Sequence, residues 1–193
     1  MHEGLTIARS EFILGGQKSG KSRRAETIAQ RWLGLSANHR AVLIATAQPW
    51  DEEMRARIDR HQADRAQRVP GMETIEVPLA LTQALATHSR PDVLLVVDCL
   101  TMWLTNGMMP MHPQPNDVFD VDNQVSALIA SIAMAPGPVV LVGNEIGMGV
   151  IPMGAEVRAF VDSLGRLNQC VAQACARVTL MVAGLPLPLK AAP

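Results

Sequence analysis

A glycine-rich segment near the beginning of the 193-residue chain has the residue types and the spacing that suit the binding of phosphate groups. It matches the pattern G-x-x-x-x-G-K-[ST], and it follows a short apolar run and precedes a stretch of helical period. Its glycines let successive backbone N–H groups turn toward phosphate oxygens, while the positive end of the following helix faces the same anion. An ordinary glycine-rich turn needs neither the lysine nor the serine of the pattern. The segment therefore predicts a phosphate loop formed by Gly15, Gly16, Gln17, Lys18, Ser19, Gly20, Lys21 and Ser22.

Three side chains predict the chemistry of phosphoryl transfer at this loop. Lys21 is expected to act as a catalytic group that reaches the β- and γ-phosphate oxygens, and the Ser22 hydroxyl is expected to ligate Mg²⁺. Asp98 ends an apolar run, where enzymes of this class need an acidic group to hold the metal or its water. A lone aspartate after a strand is often a turn or helix-cap residue, but its pairing with the phosphate loop favours a metal site of Ser22 and Asp98.

A second chemical pattern lies on the predicted helix that starts at Asp51. Arg57, His61 and Arg65 recur every four residues, so their side chains form one stripe, called the basic stripe below. A phosphate would bridge the two guanidinium groups, and a neutral imidazole between them could attack a phosphorus atom. The alternative is a solvated helix face with a partly buried histidine. The spacing alone favours that alternative, because exposed basic helix faces are common.

The elements that must position these residues alternate along the chain. Most of the apolar runs are rich in β-branched residues and predict strands at residues 12–14, 42–47, 73–77, 93–98, 139–143 and 178–183. Helical spacing predicts helices at residues 22–33, 51–65, 122–134 and 156–177. This alternation is typical of an α/β fold, with a mostly parallel, doubly wound sheet flanked by helices. The run 73–77 alternates polar and apolar residues, which suggests a strand at a sheet edge.

The length of the chain suits one compact domain. A single nucleotide-binding domain is predicted over residues 1–193, with an extension at 1–11 and a C-terminal tail at 184–193 that is expected to fray. The segment 108–116 is rich in proline and methionine and predicts a loop. That loop is either a mobile lid over the site or a plain surface connection.

The composition restricts the possible partners and the compartment. Lys and Arg total 17 against 18 Asp and Glu, so no overall charge attracts the protein to nucleic acid or to an anionic membrane. The N-terminal stretch lacks the apolar region of a signal peptide, and the longest apolar runs are too short for a membrane span. Three cysteines without a metal-type spacing fit a reducing compartment. We therefore expect a cytoplasmic protein without nucleic-acid or membrane partners.

Five segments resemble, in the same order, the signatures of the bifunctional adenosylcobinamide kinase/adenosylcobinamide-phosphate guanylyltransferase family. They are GGQKSGKSRRAE, IATAQPWDEEMRARIDRHQADR, VDCLTMWLTN, NEIGMGVIP and FVDSLGRLNQ, and the resemblance runs from about residue 12 to about residue 190. The phosphate loop alone would be unspecific. Its combination with the segments DEEMxxRIxxH and NExGMGxxP makes the resemblance specific.

The resemblance implies a two-step enzyme of cobalamin biosynthesis. Such an enzyme phosphorylates the aminopropanol hydroxyl of adenosylcobinamide with ATP or GTP and then transfers GMP from GTP to that phosphate, with Mg²⁺ as cofactor. In the family a histidine carries the guanylyl group, and the matching catalytic residue is His61. The family's fold is a P-loop NTPase fold with a RecA-like sheet, and its assembly is a trimer. The resemblance therefore implies a corrinoid and a nucleotide as small-molecule partners, and a homo-oligomer.

The nucleotide-binding residues that the resemblance implies fall into four groups. One is the phosphate loop itself, and the others follow the second strand, follow the histidine, or lie in the third predicted strand and at the end of the fourth. They are Ala45, Thr46 and Ala47, then Gln62, Ala63, Asp64 and Arg65, and lastly Glu76 and Asp98.

The segment NEIGMGVIP predicts a further part of the site. Asn144 and Glu145 end a strand, and Gly147 and Gly149 permit a tight turn before Pro152. Ligands of open parallel sheets bind beyond the carboxyl ends of the strands, so this loop is expected to line the same crevice. It contacts the corrinoid or a neighbouring subunit in one interpretation and is a purely structural turn in the other.

Two other functions fit part of the pattern. A kinase without the second activity would use the phosphate loop but leave His61 as an anion-binding helix residue. A non-catalytic P-loop module that switches its loops on binding GTP would use the phosphate loop without a nucleophile. The basic stripe argues against the switch, because a switch requires no nucleophile.

Overall fold

The computed structural model describes residues 6–113 and 119–191 of the chain. Within these ranges the elements follow one another in the order β1 (Ser10–Gly15), α1 (Lys21–Leu35), β2 (Arg40–Ala45), α2 (Glu52–Arg68), β3 (Glu73–Glu76), α3 (Leu81–His88), β4 (Val93–Asp98), α4 (Leu100–Met108), α5 (Val121–Met134), β5 (Val139–Asn144), α6 (Ala155–Ala174), β6 (Arg177–Val182) and β7 (Leu185–Lys190). No helix in these ranges has the length and apolar character needed to cross a membrane.

The strands form one sheet in the order β3-β2-β4-β5-β1-β6-β7. Every neighbouring pair is parallel except β6 and β7, which are antiparallel. The predicted mostly parallel α/β sheet is therefore confirmed, and so is the place of β3 at a sheet edge. The strand order also fits right-handed crossovers that place helices on both faces.

The sheet is buried on both faces, which explains its β-branched composition. In β4, Leu95 and Val97 face a core shared with α3, α4, α5 and α6, whereas Leu94 and Val96 face a second core with α1. This alternation follows the two-residue period of a strand. Because both faces are covered by helices, the central strands contain almost no polar residues.

The structure corrects several predicted boundaries. The tail predicted to fray at 184–193 instead forms β7 over residues 185–190, and the predicted extension 1–11 overlaps β1, which begins at Ser10. Helices α3 and α4 were not predicted. The predicted helix 156–177 ends three residues early as α6, because Cys175 is extended and β6 begins at Arg177. Residues 109–113 of the proline-rich loop are irregular, and the rest of that prediction, 114–116, lies outside the described residues.

The parallel strands bring five residues, each a predicted site residue or a neighbour of one, to the edge of the sheet where the strands have their carboxyl ends. This edge is called the carboxyl edge below. The strands β1, β2, β3, β4 and β5 end at Gly15, Ala45, Glu76, Asp98 and Asn144. Ala45 is paired with Glu76 on one side and with Asp98 on the other, and Gly15 is paired with Asn144. Parallel sheets bind ligands at this edge, so the fold gathers the candidate residues where a nucleotide is expected.

Candidate active site

The phosphate loop connects β1 to α1 through a sharp backbone turn. Gly15 and Gly20 have φ values of 152° and 100°, and Lys18 has a φ of 56°, so three positions adopt a conformation that disfavours ordinary side chains. A Cβ atom on Gly15 would lie 2.5 Å from the carbonyl oxygen of Met181 and 2.6 Å from Ser19 Oγ. Glycine is therefore required at position 15 by both conformation and space.

Lys21 is the first residue of α1 and points back into the loop. Its ammonium donates a 2.6 Å hydrogen bond to the carbonyl oxygen of Gly16, and the residue is buried. Burial lowers the pKa of Lys21, Cys99 and Asp98 oppose that effect, and the positive charge of Arg57 adds to it. An anion bound in the loop would supply the counter-charge that this buried ammonium lacks.

The structure also assigns residues near the C-terminus to the phosphate loop, which the sequence did not predict. A Cβ atom on Gly20 would lie 3.5 Å from Met181 Cε and 3.4 Å from Gly184 Cα. The loop is thus packed between its own helix and the turn that follows β6. No local motif marks these contacts, because more than 160 positions separate Gly20 from Met181.

The predicted metal ligands lie on the two elements expected to carry them. Ser22 is in the first turn of α1, and Asp98 is the last residue of β4, and both are partly exposed. Their hydroxyl and carboxylate oxygens are hard donors of the kind that Mg²⁺ prefers, and Mg²⁺ usually completes its shell with water and substrate phosphates. The described residues contain no cluster of three or more His, Cys, Asp or Glu side chains suited to a metal ion. The donor set therefore fits a magnesium ion that arrives with a nucleotide.

Thr46 serves as a junction between strands. It is fully buried, its hydroxyl donates to the carbonyl oxygen of Cys99 at 2.7 Å, and the same hydroxyl accepts from the Cys99 N–H at 2.9 Å. Its backbone N–H donates to the Asp98 carbonyl oxygen, and its own carbonyl oxygen accepts from Asn106 Nδ2 at 2.7 Å. All polar groups of Thr46 thus have protein partners, so its predicted contact with a nucleotide stays a prediction. Its neighbours Ala45 and Ala47 are partly exposed at the sheet edge.

The basic stripe lies on α2, which begins after Asp51. The Asp51 carboxylate accepts a 2.7 Å hydrogen bond from the Met54 N–H and so caps the helix. Among the residues of α2, Arg65 alone is buried. Burial lowers the pKa of Arg65, whereas the charges of Asp98 and Glu26 raise it. Asp98 is therefore close enough to Arg65 to act on its charge.

His61 is placed between two arginines that both act on the phosphate-loop region. The charge of Arg57 acts on Lys21, and that of Arg65 is stabilised by Asp98. Because Arg57, His61 and Arg65 are one helical turn apart, they share a face of α2, and on that face Arg65 is buried whereas Arg57 and His61 are exposed. His61 itself is exposed, as a nucleophile open to substrate requires. Arg65 is thus the member of the stripe that packs into the protein, and the role of His61 as nucleophile stays a prediction.

A cavity of about 360 Å³ separates α2 from β3. It brings together three of the predicted nucleotide-binding residues, and its lining consists of Gln62, Arg65, Ala66, Met72, Thr74 and Glu76. Ala66, Met72 and Thr74 are the members that sequence reasoning missed. Ala63 and Asp64 are not part of this lining, and Asp64 instead forms a 3.1 Å ion pair with Arg68. Arg68 also pairs with Glu26 at 2.9 Å, which ties the end of α2 to α1.

The NEIGMGVIP segment leaves β5 beside the phosphate loop. The Glu145 N–H donates to the Gly15 carbonyl oxygen at 3.2 Å, which places this segment at the edge predicted for it. Beyond Glu145 the loop is open, and its large apolar side chains are strongly exposed, namely Ile146, Met148, Val150, Ile151 and Met153. Their predicted contact with a corrinoid or a neighbouring subunit stays a prediction.

Solved structures with this fold share little sequence with the chain. The flagellar accessory protein FlaH from Methanocaldococcus jannaschii matches with a TM-score of 0.52 and 11% identity, covering 98% of this chain and 81% of that one. A protein from Pyrococcus horikoshii OT3 matches with a TM-score of 0.55 and 9% identity, covering 98% of this chain and 90% of that one. These likenesses support the fold alone.

Comparisons with similar sequences say more about the family than the shared fold does. The bifunctional adenosylcobalamin biosynthesis protein CobP of Pseudomonas aeruginosa is 44% identical over 183 residues, which cover 95% of this chain and 98% of that protein. The corresponding proteins named CobU from Salmonella typhimurium and Escherichia coli are 33% and 32% identical, each over 93% of this chain and 98% of its own length. The family model for cobinamide kinase / cobinamide phosphate guanyltransferase matches residues 11–189. This chain therefore belongs to the cobinamide kinase / cobinamide phosphate guanyltransferase family.

Proposed function

We propose that this chain is a bifunctional enzyme of cobalamin biosynthesis. It phosphorylates adenosylcobinamide with ATP or GTP, and it then transfers GMP from GTP to adenosylcobinamide phosphate, giving adenosylcobinamide-GDP and pyrophosphate. The family match over residues 11–189 and the three bifunctional relatives support both activities. Each step breaks a phosphoanhydride bond of a nucleoside triphosphate, at the γ-phosphorus in the first and at the α-phosphorus in the second, so one phosphate loop can hold the nucleotide for both.

The guanylyl transfer runs through His61. Its neutral imidazole nitrogen attacks the α-phosphorus of GTP, the nitrogen–phosphorus bond forms, and the bond to the pyrophosphate oxygen breaks. A phosphate oxygen of adenosylcobinamide phosphate then attacks the same phosphorus and releases the imidazole. The observation that carries this proposal is the place of His61 between Arg57, which acts on Lys21, and Arg65, which is stabilised by Asp98. From that place on α2, the imidazole is expected to reach the α-phosphorus of a nucleotide held by the loop.

The remaining groups neutralise the phosphates in both steps. Lys21 and the loop N–H groups bind the phosphate oxygens, and they take up charge on the leaving group. Ser22 and Asp98 are the residues that would hold Mg²⁺, which supplies charge neutralisation between phosphate oxygens when it is bound. In the kinase step these groups mainly position the γ-phosphate for in-line attack.

The cavity between α2 and β3 suits the base of GTP. Guanine carries a ring N–H and an exocyclic amino group, and the Glu76 carboxylate can accept hydrogen bonds from both. Gln62 and Arg65 supply further donors in the same cavity. We assign nucleotide contacts to the whole predicted set around it, which also includes Ala45, Thr46, Ala47, Ala63 and Asp64.

Assembly and location have different supports. We expect a trimer, as the family resemblance implies, and a cytoplasmic location, as the composition suggests. The exposed apolar side chains of the loop after Glu145 are compatible with burial against a second subunit or a corrinoid.

Labelling with GTP tests the histidine directly. Protein incubated with Mg²⁺ and GTP labelled at the α-phosphorus should acquire a label that acid removes and base does not. The variant His61→Ala should lose this label. The matched control His88→Ala changes a histidine at the end of α3, away from the carboxyl edge, and should keep it. Label that persists on His61→Ala would refute the assignment of the nucleophile.

A second variant tests whether the two steps share one site. Lys21→Ala should slow corrinoid phosphorylation and pyrophosphate release by at least about 100-fold each, because both need the same phosphate contacts. The control Arg31→Ala removes an exposed charge from α1 and should leave both rates near the wild-type value. Corrinoid phosphorylation without any pyrophosphate release in the wild type would instead favour the kinase without the second activity. Normal kinase turnover of Lys21→Ala would contradict a shared site.

A further inference from the structure

We propose that Glu145 is the general base of the kinase step, the group that accepts the proton of the attacking hydroxyl. The proposal rests on the proposed function and assigns the one proton acceptor that this function leaves open. A carboxylate can serve here when it lies beside the γ-phosphate, within hydrogen-bond reach of the attacking hydroxyl, and is free of a permanent ion pair.

The position of Glu145 in the sheet supports the first requirement. Glu145 follows β5, which lies between β4 with Asp98 and β1 with the phosphate loop. Its N–H donates to the carbonyl oxygen of Gly15, the first residue of that loop, at 3.2 Å. The carboxylate therefore starts from a backbone that touches the phosphate loop, on the side of the metal-type aspartate.

The end of β5 is fixed from both neighbouring helices. The Asn144 N–H donates to Thr101 Oγ1 of α4 at 2.9 Å, and Asn168 Nδ2 of α6 donates to the Asn144 carbonyl oxygen at 3.1 Å. Together with the bond to Gly15, these contacts hold the backbone of residues 144 and 145 on three sides. A catalytic base needs such support, because its efficiency depends on a fixed position.

The carboxylate of Glu145 is oriented and still available. Its Oε1 accepts a 2.7 Å hydrogen bond from the Gly147 N–H, which restricts the side chain. Within residues 6–113 and 119–191, its Oε2 has no hydrogen-bond partner and the residue forms no ion pair. Glu145 is partly exposed and the loop beyond it is open, so an acceptor hydroxyl can approach from solvent.

Other carboxylates near the loop are committed elsewhere. Glu11 is paired with Arg24 and Arg177, and Glu26 is paired with Arg68. Asp98 belongs to the donor set for the metal. Glu76 ends the edge strand β3, on the far side of β2 from β4, and lines the cavity next to α2.

The kinase step moves one phosphoryl group and one proton. The oxygen of the aminopropanol hydroxyl forms a bond to the γ-phosphorus, and the bond from that phosphorus to the bridging oxygen of the nucleoside diphosphate breaks. The proton of the hydroxyl passes to Glu145 Oε2, and the diphosphate leaves with the electron pair. Guanylylation of His61 needs no such acceptor, since a neutral imidazole nitrogen attacks with its lone pair.

This difference between the two half-reactions gives the test. In Glu145→Gln the amide oxygen still accepts from the Gly147 N–H, but the side chain no longer accepts a proton. We expect kcat for phosphorylation of adenosylcobinamide to fall by about 100- to 1,000-fold while the nucleotide KM changes by less than about 3-fold. Labelling of His61 by GTP, and guanylyl transfer to adenosylcobinamide phosphate added directly, should stay within about 3-fold of the wild type.

A control variant and two further outcomes separate a catalytic role of Glu145 from a structural one. Asp92→Asn makes the same carboxylate-to-amide change at the opposite end of β4, where the residue is exposed, and should leave both half-reactions unchanged. Phosphorylation by Glu145→Gln within about 3-fold of wild type would overturn the proposal, and so would an equal loss of both half-reactions, which would indicate a structural role. Failure of the wild type to phosphorylate the corrinoid would instead reject the proposed function.

Discussion

The backbone N–H of Gly184 donates a hydrogen bond to the carbonyl oxygen of Ser19, 3.0 Å away, and so joins the turn between β6 and β7 to the phosphate loop. Gly184 has a φ of 81°, a left-handed conformation in which glycine is preferred. A Cβ atom at this position would meet no atom within 4 Å, so the requirement for glycine is one of backbone conformation alone. The turn before β7 thus supports a loop formed more than 160 residues earlier in the sequence.

Gly184→Ala tests this support. Alanine disfavours the left-handed conformation by roughly 1 to 2 kcal/mol, so the turn should shift and release the Ser19 carbonyl. We expect a lower free energy of unfolding by about that amount and a several-fold weaker affinity for a fluorescent GTP analogue. Gly165→Ala in α6 is the matched control, because its Cβ also has open space and its backbone is helical. The control should keep the affinity and gain up to about 1 kcal/mol, and equal affinities for both variants would contradict the role of Gly184.

The strand that carries this turn shows where fold prediction from the sequence failed. The central strands were predictable because burial on both faces demands β-branched residues. Strand β7 is exposed along its whole length and contains Pro186 and Pro188, which lack a backbone donor, so its sequence is typical of a loop. An edge strand tolerates such prolines because one side of it needs no partner. Helices α3 and α4 were missed because eight and nine residues give too few turns for a clear helical period.

The three cysteines should differ in reactivity, because burial raises the pKa of two of them. The pKa of Cys99 is raised to about 11, with a further contribution from the negative charge of Asp98. Burial raises the pKa of Cys175 to about 12. At pH 8 a thiol reagent should therefore modify one residue per folded chain, the partly exposed Cys170, and all three in urea. Rapid modification of three thiols in native buffer would contradict the buried placement.

The same shifts predict a loss of stability at alkaline pH. The folded chain holds the Cys99 proton more tightly than the unfolded chain, in which the thiol ionises near pH 9. The stabilisation is complete below about pH 9 and is lost as pH rises toward 11. Urea unfolding should show a decline of up to about 1.4 kcal/mol per pH unit for each buried thiol in this window. The variant Cys175→Ala should have a shallower decline than the wild type.

The candidate site was predictable where its residues lie in one segment. The phosphate loop is a contiguous motif, and the basic stripe follows from the spacing of one helix, so sequence reasoning found both. Met72 and Thr74 in the cavity were missed because the packing of β3 against α2 places them there. Thr46 was predicted to contact the nucleotide on the basis of family resemblance. Its bonds to Cys99 and Asn106 join positions more than 50 residues apart, and no local pattern reveals them.

Thr46→Val distinguishes a structural role of this hydroxyl from contact with the nucleotide. Valine has nearly the same shape as threonine but no hydroxyl, so the variant removes both hydrogen bonds between residue 46 and Cys99. The buried N–H and carbonyl groups of Cys99 then lose their partner at residue 46. We expect a loss of about 1 to 3 kcal/mol in the free energy of unfolding. The affinity for GTP should weaken together with the stability. Asp98 directly precedes Cys99, so the hydrogen bonds between Thr46 and Cys99 also help to position Asp98.

The control for this variant is Thr27→Val, which makes the same change on the exposed side of α1. The Thr27 hydroxyl donates to the Arg23 carbonyl oxygen at 2.9 Å in solvent, so its loss should alter the free energy of unfolding by less than about 0.5 kcal/mol. Urea unfolding and titration with a fluorescent GTP analogue measure both quantities for each variant. Weaker GTP binding by Thr46→Val at unchanged stability would mean that the hydroxyl contacts the nucleotide itself. Loss of stability together with affinity would place Thr46 in the framework that holds Asp98, because a bond lost only to the ligand cannot weaken the empty protein.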